Sequence, residues 1–197
     1  PVRHDANEDD ATWFRATWRQ TLRAMLANRT PQDAAAFQVM GDRLWRDCGS
    51  VAAAHVCYLI AGHGVLETGE DARVLLVGSD HISGRTPDTF VTPVAIMRTE
   101  AVLYASRLAG TLDPALLDAF QPFRLVMAMW LADLGSLDQA KAWCASIRAG
   151  VASRPPLNDA FAAQLDVFEA RLFGREMPSG WFSAAAEAGG SATTNGA

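Results

Sequence analysis

With 197 residues, half of them hydrophobic and 20% charged, the chain has enough apolar material for one core and lacks the composition of a disordered segment. Its formal charge of −5 and the scatter of its 17 basic residues argue against a nucleic-acid partner. The longest apolar stretch, Val51 to Gly62, runs about a dozen residues where a bilayer needs roughly 20, so no membrane span is expected.

The chain opens on Pro1, with no basic segment leading into an apolar one, and reads as a fragment of something longer. Trp13, Phe14, Trp18, Leu22, Met25 and Leu26 recur at spacings of three and four, which predicts a first helix. Thr30-Pro31 reads as an N-cap with proline in the first helical position, and Phe37, Met40, Leu44 and Cys48 carry a second helix forward. Ser50 is placed to cap a third, and Gly62 to end it in the left-handed conformation. From His63 to Thr92 the pattern breaks, with glycines at 64, 69, 78 and 84, a proline at 87 and one apolar run, Val74 to Val77. So long a loop is unusual inside a domain, and it reads as a mixture of a short element at Val74 to Val77 and a surface segment that contacts a partner.

Thr92-Pro93 repeats the cap-and-proline start for a fourth helix, with Met97, Ala101, Tyr104 and Leu108 at helical spacing. Asp113-Pro114 opens a fifth, running toward Leu134 and Gly135 and expected to kink or split at Pro122. Its second half, Leu125 to Leu134, is apolar almost all round, which predicts a central helix buried between neighbours. Ser136 and Gln139 suit a capping box ahead of Leu137, Ala140, Cys144 and Ile147, and Phe161, Leu165, Phe168 and Leu172 give one more stripe. After Pro178 the chain turns to alanine, glycine, serine and threonine. The expected organisation is a helical domain over 1–177 and a disordered or loosely attached tail over 178–197. The fold class is all-α: antiparallel helices in a bundle or a short folded-back α-solenoid.

The three cysteines, Cys48, Cys57 and Cys144, form an odd set with no C-x-x-C pair, and are expected reduced and buried in a cytosolic protein, with a single disulfide as the alternative. His4 lies in the ragged start. His55 and His63 stand eight apart, which suits no metal pair on one helical face, and His55 reads as structural. Ser79, Asp80, His81 and Ser83 supply the residue types of a hydrolase triad, but near-adjacent loop residues do not normally face one another as triad members do. A turn in which Ser79 and Asp80 bond their own backbone is the plainer reading, and a hydrolase site around Asp80 and His81 the enzymatic alternative. Neither a P-loop nor a dinucleotide fingerprint is present, and Asp9-Asp10 and Glu70-Asp71 fall in polar stretches that read as solvated surface. No catalytic residue, cofactor or metal site is expected. Most of Trp13, Trp18, Trp45, Trp130 and Trp143 should be buried, and Trp181, in the tail, is the candidate partner contact.

Met40-Gly41-Asp42-Arg43-Leu44-Trp45, followed by Ala53-Ala54-His55-Val56-Cys57-Tyr58-Leu59, resembles the "GDxLW…AAHxCYL" signature of the central conserved domain of Sec-sixteen. Leu76-Val77-Gly78-Ser79-Asp80-His81 resembles that family's "LxGxxH" segment, Arg98-Thr99-Glu100 with Tyr104-Ala105 its "TExxxYA" helix, and Phe120-Gln121 through Leu134-Gly135 its "FQxxKxxxAxxLADxG" helix, with Arg124 at the lysine position. The motifs keep the family's order from about Trp13 to Ile147. The resemblance implies an ancestral coatomer element: a non-catalytic scaffold segment that organises COPII coat assembly on the cytoplasmic face of the endoplasmic reticulum, at exit sites. It also implies two partners, the Sec-thirteen β-propeller and a second copy. The upstream β-strands with which family members complete that propeller have no counterpart in this chain. The remaining alternative is a structural helical module of a related coat or nuclear-pore component.

Overall fold

The computed structural model describes residues 6–69, 71–82, 90–152 and 159–174. Among the described residues the helices are α1 (Ala6–Ala27), α2 (Asp33–Arg46), α3 (Val51–Ala61), α4 (Pro93–Leu108), α5 (Pro114–Asp133), α6 (Leu137–Ala152) and α7 (Asp159–Phe173). No strand occurs among the described residues, so the all-α class holds. The chain divides into two compact units, Pro1–Leu116 and Leu117–Ala197. Trp181 and the rest of the tail lie outside the described residues.

In the first unit α2 packs along α3, and α1 against α2. α1 buries Phe14, Trp18 and Leu22, a stripe at spacings of four, while Trp13 is 61% exposed. One residue is a 100° step around a helix, so Trp13 and Phe14 cannot both face the same neighbour. Trp18 and Trp45 are buried, and Trp130 and Trp143 only half so; the expectation that most of the five are buried was too broad. α2 buries Phe37, Met40, Leu44 and Trp45, with Cys48 just beyond its end. α3 ends as its sequence predicts: Gly62 has φ 99°, its N–H donates to Leu59 and the His63 N–H to Tyr58, closing the carbonyls of the last turn. Ser50 precedes α3, but its side chain makes no capping bond.

α4 turns Ala95, Ile96, Thr99 and Leu103 inward, and it is the opposite face that carries Met97, Ala101, Tyr104 and Leu108. Between α3 and α4 the described residues 63–69 and 71–82 form neither helix nor strand, yet Val65, Leu66, Val74, Leu76 and Val77 are buried. These side chains belong to the core, while Gly64, Thr68, Gly69, Asp71 and Ile82 of the same segment are exposed. No regular element forms at Val74 to Val77: the Val74 and Leu75 carbonyls accept from the Glu67 and Leu66 N–H groups, while the Val74 and Val77 N–H groups donate to the side chains of Glu67 and Thr99.

The second unit has its own core of Leu125, Ala128, Cys144, Ile147, Phe161 and Leu165, with Trp143, Phe168 and Leu172 packed against it. Arg148 on α6 ties down α7 through Glu169 and Asp166. Asp113 caps α5 by accepting from the Ala115 N–H at 2.9 Å, and the helix runs unsplit through Pro122. Pro122 is exposed. The second half of α5 is not buried all round: Leu134 is 80% exposed and Met129 45%. By length and composition alone α5 could cross a membrane. Gln121 and Arg124, in its middle, are buried.

Candidate functional site

The motif residues at the centre of the first unit converge on the segment between α3 and α4. Residues buried without a regular ladder must find partners for their backbone donors elsewhere, and three side chains supply them. Thr99 Oγ1, on α4, accepts from the Val77 N–H at 2.9 Å and donates to the Ala95 carbonyl at 2.8 Å. His55 Nδ1, on α3, accepts from the Gly78 N–H at 2.9 Å. The Glu67 carboxylate accepts from the N–H groups of Gly64, Arg73 and Val74, and sits 3.3 Å from His63 Nδ1. Gly78 itself has φ 87°, a left-handed conformation that calls for glycine, and the Arg98 guanidinium lies over it.

Beneath this segment lies a stack of rings. Trp45 meets His55 edge-on at 5.1 Å between centroids and His81 at 5.3 Å. Tyr58 lies across Gly41, where a Cβ would come within 2.5 Å of the ring, and its hydroxyl donates to Asp42 at 2.7 Å. Asp42 also takes an ion pair from Arg73 and a longer one from Arg46 at 3.5 Å. A depression of about 370 Å³ opens here, lined by Asp42, Trp45, Arg46, Tyr58, Arg73 and Ile82.

The chemistry of these groups is that of a locked scaffold. His55 is fully buried, and burial, reinforced by the nearby His81, holds its pKa down to about 4. It is neutral at pH 7, with the proton on Nε2 because Nδ1 is the acceptor. Burial, with Asp42 beside it, raises the Tyr58 phenol to about 12. The residues of the hydrolase alternative are committed elsewhere: Ser79 Oγ donates to the Leu76 carbonyl at 3.1 Å, Asp80 accepts from the Ile82 N–H at 3.0 Å, and His81 Nε2 donates to the Ala72 carbonyl at 2.8 Å. Ser79 and Asp80 thus make the local turn bonds that their types suggest. Ser83 lies outside the described residues.

Cys48, Cys57 and Cys144 are free and buried, as expected of an odd set without a C-x-x-C pair. Among the described residues no group of three or more His, Cys, Asp or Glu is placed to hold a metal ion. Sequence reasoning missed Glu67 and Arg73 altogether. The one available signal was a carboxylate inside a glycine-rich run, which can serve several backbone N–H groups at once.

The chain matches, over residues 2–188, the model of a family described as the Sec16 Sec23-binding domain. It is 37% identical over 130 residues to a protein transport protein SEC16A homolog of Arabidopsis thaliana, an alignment covering 66% of this chain and 9% of that protein. It is 36% identical over 182 residues to the COPII coat assembly protein SEC16 of Coccidioides immitis (strain RS), covering 84% of this chain and 10% of that protein. The chain thus spans about a tenth of the length of these curated relatives. No solved structure matches it. The family is the one that the motifs resemble. Its description names Sec23, a correction to the Sec-thirteen β-propeller that the resemblance implied as partner.

Proposed function

The chain belongs to the Sec16 Sec23-binding domain family, and from that membership we propose that it is a scaffold segment that binds Sec23 and thereby organises COPII coat assembly at endoplasmic-reticulum exit sites. The observation that carries this reading is the family match over residues 2–188. The motif cluster accords with it, since its polar side chains are engaged in holding a buried segment rather than poised around an open site. A scaffold of this kind works by presenting a rigid surface, and a locked core keeps that surface in one shape. A catalytic role around Asp80 and His81 has no such support, because each of the two is bonded to backbone of its own segment. The relatives' names favour a coat scaffold over a nuclear-pore module.

The test is a titration of the purified chain with purified Sec23 on a biosensor, with the Sec-thirteen propeller run in parallel. Saturable binding of Sec23 is the expected result. Binding of the propeller alone, or of neither protein, would overturn the proposal. Light scattering on the same preparation checks the homodimer that the resemblance implies.

A further inference from the structure

Three guanidinium groups gather around one hollow of the first unit. The hollow, about 510 Å³, is lined by Arg15, Trp18 and Arg19 of α1, by residues 49–53 at the start of α3, and by Gly78. Arg15 donates to the Cys48 carbonyl, and Arg19 stacks on the Trp18 ring at 4.8 Å. Arg98, from α4, lies over Gly78 beside Ala52. Among the described residues no ion pair joins any of these three arginines to an aspartate or glutamate, whereas Arg29, Arg43, Arg46, Arg73 and Arg148 each have one. Carboxylates are not scarce in this chain, where acidic residues outnumber basic ones by 22 to 17. Like charges held together repel one another until an anion sits between them.

The floor of the hollow adds donors of the same sense. Ser50 makes no capping bond, so the N–H groups in the first turn of α3 have no acceptor from it. A helix start alone singles out no ligand; the guanidinium groups that two other helices bring to it do. A carboxylate offers two oxygens and one charge, and a single arginine satisfies it. Three arginines suit a group with more acceptors and a higher charge, as a phosphate monoester has at pH 7. The volume falls in the range of roughly 300–1,000 Å³ typical of small-ligand sites, which is room for a phosphorylated side chain. The chain's formal charge of −5 opposes spreading over an anionic bilayer or along a nucleic acid, whereas one confined basic hollow can still take a single group.

We propose that this hollow binds a phosphorylated serine or threonine of a partner protein, with Arg15, Arg19 and Arg98 donating to the phosphate oxygens. The inference does not depend on Sec23 binding.

The test uses the full chain, labelled with nitrogen-15, and two small probes, N-acetyl-phosphoserine amide and N-acetyl-serine amide. Saturable amide shifts centred on residues 49–53 and Gly78 are expected with the phosphorylated probe, and none with the other. Arg19→Gln and Arg98→Gln, both at exposed positions, should each weaken binding about tenfold with an unchanged melting curve. Arg107→Gln, which removes the same charge farther along α4, should leave the affinity as it is. No binding of the phosphorylated probe, equal binding of both probes, shifts centred elsewhere, or three variants that behave alike would overturn the proposal. Vesicles of phosphatidylcholine and phosphatidylserine in equal parts should not bind. Vesicle binding that Arg19→Gln and Arg98→Gln abolish would also overturn it, by assigning the cluster to a membrane surface.

Discussion

At Gly41 the usual effect of alanine in a helix reverses. Elsewhere in a helix, glycine to alanine stabilises by about 1 kcal/mol. Here the added Cβ would sit 2.5 Å from a ring that is itself 1% exposed and fixed by its hydroxyl to Asp42, so the ring cannot swing aside. Overpacking of this kind costs about 1–3 kcal/mol, and Gly41→Ala should lower the urea midpoint of unfolding accordingly. Gly64→Ala, where a Cβ would meet nothing within 4 Å, should leave it within about 0.5 kcal/mol. His55 makes a second residue-level test, this time against pH. Its folded pKa is about 4, below the 6.5 of an ordinary histidine, so between those values the unfolded chain takes up a proton that the folded one refuses. Stability should therefore fall as pH drops from 6.5 toward 4, by up to about 3 kcal/mol, and level off below. In His55→Asn, which keeps an acceptor for the Gly78 N–H, denaturation curves taken across that range should show the slope largely gone. Asp33 acts in a different window. Bonds from the Thr30 side chain, and then from its backbone, hold its pKa below 3.8, so its contribution is present above that value and lost only as pH falls further.

Two helices begin with the same dipeptide and start differently. At Thr92-Pro93 the threonine Oγ1 accepts from the Ala95 N–H at 3.1 Å and proline fills the first helical position, as the sequence pattern predicts. At Thr30-Pro31 the third residue on is Asp33 rather than alanine, and its carboxylate accepts both the Thr30 N–H at 2.8 Å and the Thr30 hydroxyl at 2.6 Å. The threonine becomes a donor, and α2 begins at Asp33. Thr92→Ala should thus cost about 1 kcal/mol in thermal or urea unfolding, and Thr92→Ser little. The comparison shows which parts of the fold were legible in the sequence. Helix periods, the glycine stop at Gly62 and the Phe37, Met40, Leu44, Cys48 stripe follow from local spacing, and the structure keeps them. What local spacing cannot say is which of two apolar faces meets a neighbour, and α4 turned its heptad stripe outward. Nor can it foresee that the segment after α3 would be buried, because that depends on Glu67, His55 and Thr99 reaching its backbone from up to 23 residues away.

At the scale of the whole chain, the division into two compact units makes separate opening an expectation that the cysteines can read out. Cys57 lies in the first unit and Cys144 in the second; both are 0% exposed, and burial raises both thiols to about 11. At pH 8 neither is a ready nucleophile in the folded state, so alkylation of either one reports the opening of its own surroundings. Pulse labelling with iodoacetamide followed by peptide mass spectrometry should therefore return two rates, each slow compared with the denatured chain. The ring clash that Gly41→Ala introduces belongs to the first unit, whereas the Cys144 thiol packs among Leu125, Ile147 and Phe161 in the second. If the units open independently, that substitution should speed labelling of Cys57 several-fold and leave Cys144 at its parent rate. Equal acceleration at both thiols would mean that the chain opens as one cooperative body, and that the two cores lend each other stability.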